Sequence, residues 1–118
     1  MKPYTVIAAI AILIIGSASA GRFATAATLQ QDPPGKAPYD ANCKKCHGAI
    51  GVAPKSMKTK FPKIATFNAE FFEHRSADSV VTILTKGKGQ DMKSFKDKLS
   101  HAEMVAVAAY IRAFGKPK

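Results

Sequence analysis

A chain of 118 residues with a formal charge of +10 has room for one small domain. Its only two cysteines sit three positions apart in one motif, so no other use competes for them. The surplus of lysine and arginine suits an acidic partner surface; nucleic acid is excluded by the exported character of the N-terminus.

That N-terminus reads Met1-Lys2, then an apolar run from Val6 to Ile15, then Gly16-Ser17-Ala18-Ser19-Ala20. A charged start, a ten-residue apolar segment and an A-x-A site make residues 1–20 a secretory signal peptide. The alternative is an uncleaved anchor. Tyr4 to Ala20 supplies 17 weakly apolar residues, the lower limit for a spanning helix, and Arg22 then sits on the exported side, unaided by the positive-inside rule. Either way the domain lies in the periplasm, soluble or anchored to the membrane by its N-terminus. No cysteine follows the run, which excludes a lipid-modified N-terminal cysteine. Cleavage removes Lys2 and leaves a charge of about +9. Residues 21–34, ending in Thr28-Leu29-Gln30-Gln31-Asp32-Pro33-Pro34, read as a linker, and residues 35–118 as the domain.

The first helix is expected from about Gly35 to Asn42, with Tyr39 as its aromatic contact and Pro38 tolerable only in the first turn. Directly after it stands Cys43-Lys44-Lys45-Cys46-His47, the C-x-x-C-H pattern of covalent haem attachment. Two thiols at this spacing reach the two vinyl groups of one porphyrin, and the next histidine lies under the iron. A thioredoxin-like pair needs a βαβ context, which is missing, and a structural zinc site needs four suitable ligands. The motif therefore predicts one covalent haem c. Covalent attachment keeps the cofactor from being lost outside the cytoplasm, and a haem supplies core to a small domain without a disulfide.

Residues 48–68 are expected as loop, punctuated by Gly48, Gly51, Pro54 and Pro62. Phe67, Phe71 and Phe72 suggest a short helical turn. The next helix starts near Ser76, an N-cap residue, carries Val80, Ile83 and Leu84 at helical spacing, and ends at Gly87. The last helix opens on the capping box Ser100-His101-Ala102-Glu103. Met104, Val107, Ala108, Ile111 and Phe114 form its apolar stripe, and Gly115 with Pro117 stops it. No segment reads as a strand, so the domain is predicted to be all-α.

A proximal His47 leaves one iron position to fill, and Met57, Met92, Met104, His74 and His101 are candidates. Met92 follows the glycine-rich turn Lys86-Gly87-Lys88-Gly89-Gln90-Asp91, where backbone can bend over a flat cofactor. It lies 45 residues after His47, far enough to return on the other face of a porphyrin, whereas Met57 lies only 10 after it. Met104 falls on the apolar stripe, His101 in the capping box and His74 in the polar run Glu73-His74-Arg75.

Three segments resemble the class I bacterial cytochromes c, in the family's order. They are the opening from Gly35 through Cys43-Lys44-Lys45-Cys46-His47-Gly48, the methionine loop Gly87 to Phe95, and the last helix, Leu99 to Arg112. The resemblance implies a small class I cytochrome c fold whose first and last helices cross near Tyr39 and Tyr110. It also implies Cys43 and Cys46 as thioether sites, His47 as proximal and Met92 as distal ligand, and the Pro54 carbonyl as acceptor of the His47 ring N–H. Two features depart from the family. Lys93 stands where proline usually follows the methionine, and tryptophan, which often packs near a propionate, is absent.

The function so implied is a mono-haem electron carrier, not an enzyme, with no small-molecule substrate. The alternatives are a membrane-tethered cytochrome subunit of a larger respiratory, photosynthetic or dehydrogenase complex, and a haem enzyme or gas sensor. Lys44, Lys45, Lys86, Lys88, Lys93, Lys96 and Lys98 flank the haem segments and suit a redox partner with an acidic docking surface.

Overall fold

The structure, a computed structural model, describes residues 31–117. The signal peptide at 1–20, the linker residues 21–30 and Lys118 lie outside the described residues. Six helices follow in chain order: α1 (Lys36–Asn42), α2 (Lys44–His47), α3 (Lys55–Lys60), α4 (Ala69–Glu73), α5 (Ala77–Lys86) and α6 (His101–Arg112). A 3-10 turn, Ala113–Gly115, closes α6. Among the described residues there is no strand, only the isolated bridge between Lys88 and Met92. The fold is the all-α one expected.

The capping box forms as predicted. Ser100 Oγ accepts the Glu103 N–H at 3.2 Å, and Glu103 Oε2 accepts the Ser100 N–H at 2.8 Å, filling donors that a helix start leaves free. From there Met104, Val107, Ala108 and Ile111 run along the buried face of α6. Helix α5 supplies the opposing wall with Val80 and Leu84. Its own start is capped by Ser76, whose hydroxyl accepts the Ser79 N–H at 3.1 Å.

Helix α1 crosses α6 where Gly35 meets Ala106 and Tyr110. Tyr39, fully buried, packs edge-on against Tyr110 at 5.4 Å and Phe114 at 5.5 Å. Its hydroxyl donates to the Gly48 carbonyl at 2.6 Å, tying the crossing to the turn beyond the cysteine motif. A Cβ on Gly35 would fall on the Ala106 carbonyl and 2.5 Å from Tyr110 Cβ, so the helices must separate to admit one. Gly35→Ala is therefore expected to cost about 1–3 kcal/mol, as overpacking does. The measurement is a lower denaturation midpoint at unchanged slope; an unchanged midpoint would show that the crossing yields freely.

The stretch 48–68 differs from the loop expected. Pro54 and Pro62 bracket helix α3 instead of breaking up a coil. Pro54 costs nothing at a helix start, where its missing N–H has no partner to lose, and Pro62 disfavours helical backbone at Phe61. Farther on, Asn68 Oδ1 accepts the Phe71 N–H at 2.9 Å and caps α4, the short helix that the phenylalanines suggested.

Candidate haem site

After α1 the backbone makes one further turn. The His47 N–H donates to the Cys43 carbonyl at 2.9 Å, and the Cys46 N–H donates to it at 3.1 Å. This single turn, α2, projects the three motif side chains from adjoining positions. Gly48 then reverses the chain at φ +77°, where any Cβ would strike the Val52 carbonyl. Cys43 is buried, and desolvation, helped by Cys46, pushes its thiol up to about 11. Burial also holds the His47 imidazole below its usual value, with a hydrogen bond to the Ala65 backbone acting the other way. Burial thus favours the neutral ring, the form that ligates iron.

The second half of the site is the loop after α5. Gly87, at φ +79°, ends the helix. The Lys88 N–H then donates to the Met92 carbonyl at 2.8 Å, and the Met92 N–H to the Lys88 carbonyl at 3.3 Å. Met92 stands opposite Lys88 at the closing end of this turn, with Gly89, Gln90 and Asp91 at its tip. Ser94 Oγ donates to the Thr85 carbonyl at 2.6 Å and the Phe95 N–H to the Leu84 carbonyl at 2.8 Å, fastening the loop to the end of α5. The stiffness that proline would give after Met92 is supplied here by hydrogen bonds.

The two halves meet in one cavity of about 580 Å³, lined by Cys43, Cys46, His47 and Met92 together with Phe61 and Ile64. That volume falls within the roughly 300–1,000 Å³ of small-molecule and cofactor pockets. Two thiols, a neutral imidazole and a thioether on one largely apolar cavity fit the donor set of a c-type haem.

The other iron-ligand candidates lie elsewhere. Met57, on α3, does not line the cavity. Met104 is buried between α5 and α6, where Thr85 Oγ1 approaches its sulfur at 3.4 Å. His74 and His101 are exposed. The Pro54 carbonyl accepts the Met57 and Lys58 N–H groups at the head of α3, and among the described residues the buried His47 Nδ1 has no partner in hydrogen-bond geometry.

Two features escaped the sequence reading. Phe67 stacks on the His47 ring, with centroids 4.7 Å apart and planes 20° from parallel. Lys63 joins Lys88, Lys93 and Lys98 in lining the cavity, whereas Lys44 instead faces Asp40 at 3.8 Å.

Residues 30–111 match the protein family described as cytochrome c oxidase, cbb3-type, subunit III. The chain belongs to this family of class I c-type cytochromes. The cytochrome is also similar to a solved structure, the KustC0563 c-type cytochrome, with 28% identity and a TM-score of 0.63 over 70% of this chain and 98% of that one. Among curated proteins, none matches. Membership makes the protein a haem c electron-transfer protein whose cofactor is held covalently. Among the described residues, no helix is long and apolar enough to cross a membrane.

Proposed function

We propose that this cytochrome is a mono-haem electron carrier of the periplasm, its haem joined to Cys43 and Cys46 and its iron held between His47 and Met92. The observation that carries the reading is that these four side chains, two of them 45 residues apart, line one cavity. Haem in such a site supplies one-electron exchange, and methionine opposite histidine raises its potential. Together His47 and Met92 leave no ligand position for a substrate, which makes the protein a carrier and not an enzyme. Phe61 and Ile64 give the cavity an apolar wall, and the ties from Ser94 and Phe95 to α5 fasten the loop that carries Met92. Residues 1–20 are the export signal, so terminal sequencing of the mature protein should begin at Gly21.

Docking falls to the lysines. Lys63, Lys88, Lys93 and Lys98 border the cavity, and among the described residues none of them is paired with a carboxylate. Such a rim attracts an acidic partner and speeds its encounter, and a weak, small interface permits turnover. Screening length falls from about 10 Å at 0.1 M salt to about 3 Å at 1 M. Electron transfer to the partner is therefore expected to slow steeply across that range. Lys88→Glu or Lys93→Glu should slow it more than Lys116→Glu, since Lys116 is exposed and does not border the cavity. Stopped-flow rates against salt check this; indifference to salt would point to an apolar or pre-assembled contact.

The family's description, a subunit of an oxidase, favours a second reading in which the cytochrome serves inside a larger complex. A retained N-terminus and a stable co-purifying partner would select that reading over the free carrier.

A further inference from the structure

We infer that Phe67 is a positioning residue for the His47 imidazole, fixing the plane of the ring by stacking on its face. The inference rests on the reading of His47 as the proximal ligand. A ligating histidine ordinarily donates its second ring N–H to a carbonyl or carboxylate, which sets the ring's orientation. Among the described residues buried Nδ1 has no partner in hydrogen-bond geometry, and the Pro54 carbonyl accepts from two N–H groups of α3. What lies against the ring is Phe67, offset from parallel by 20° at 4.7 Å. Turning the imidazole about its Cβ–Cγ bond would drive its edge into that face.

Phe67 is itself held firmly enough to serve. Its N–H donates to the Gly51 carbonyl at 2.9 Å. Gly51 admits this approach, because a Cβ there would lie 2.7 Å from Phe67 Cβ. Behind it, Phe71 packs at 5.2 Å and Phe72 at 6.4 Å. Those two rings are covered by cations, Arg75 at 4.5 Å over Phe71 and Arg112 at 5.5 Å over Phe72. The brace thus runs from the imidazole through three phenylalanines to Arg112 on the last helix, and Phe67 within it is only 9% exposed.

The plane of a ligating imidazole governs the spread of haem-methyl resonances in the ferric protein, and this gives a readout that stability alone does not move. In the ferrous wild-type holoprotein, Phe67 ring protons should show NOE cross-peaks to the His47 side chain; their absence would overturn the inference. In ferric Phe67→Leu the haem-methyl spread should change, while Phe67→Tyr, which keeps the stack, and Phe71→Leu, which touches only the back of the brace, should retain the wild-type spread. An unchanged spread in haem-loaded Phe67→Leu would also overturn it. Where that variant fails to take up haem, the wild-type cross-peaks decide alone. The underlying reading fails differently: without covalent haem, or with His47 ring protons outside the strongly shifted region of an iron ligand, the ligand assignment falls and this inference with it.

Discussion

Cys43→Ala combined with Cys46→Ala should give a protein whose intact mass is that of the bare polypeptide and whose haem passes entirely into acidified organic solvent. The wild type should keep its haem through the same extraction and show the mass of chain plus one haem. The reasoning is chemical. Thioether bonds are the only links that survive acid and solvent, and the chain holds no third cysteine to replace them. Without the covalent bonds haem can leave the cavity of about 580 Å³, so the haem-free form of the double variant should show less helix by far-UV circular dichroism than the wild type, since no disulfide offsets the missing core. Haem that resists extraction from the double variant would remove the basis for the motif's role.

What the sequence made legible is the part governed by local chemistry. The Ser100–Glu103 box, the stripe from Met104 to Ile111 and the Ser76 cap each follow from side chains acting on backbone within one or two turns, and each formed. The crossing of Tyr39 and Tyr110 came from resemblance, and the absence of a Cβ on Gly35 explains why it is possible. Helix α3 was missed because prolines read as punctuation; Pro54 and Pro62 mark its ends, not a coil between them. Phe67 was visible only as one aromatic among three. Its stacking on His47 joins residues 20 apart through the turn at Gly51, and no local pattern encodes that. Likewise the engagement of the Pro54 carbonyl by Met57 and Lys58 depends on where α3 takes its first hydrogen bonds, which the presence of the proline alone does not reveal.

Met92→Ala should abolish the weak absorption band that a methionine sulfur on ferric haem gives near the red edge of the visible spectrum, and should lower the midpoint potential. Met57→Ala and Met104→Ala should leave the band in place. The discrimination comes from position. Of the three methionines among the described residues, only Met92 lines the cavity; Met57 sits on α3, and Met104 is enclosed between α5 and α6. The direction of the potential follows from the ligand: a thioether favours the reduced iron, so its removal favours the oxidised form. Removing it also opens an iron position, so Met92→Ala should bind carbon monoxide readily while the wild type binds it poorly. That comparison separates a carrier from a gas-binding protein. In the wild type, the paired bonds between Lys88 and Met92 and the Ser94 tie to Thr85 hold the loop shut, despite Lys93 in the place of proline. Ready carbon monoxide binding by the wild type would show that these bonds do not keep Met92 on the iron. Loss of the band from Met57→Ala, with Met92→Ala unchanged, would move the distal ligand from the α5 loop to α3.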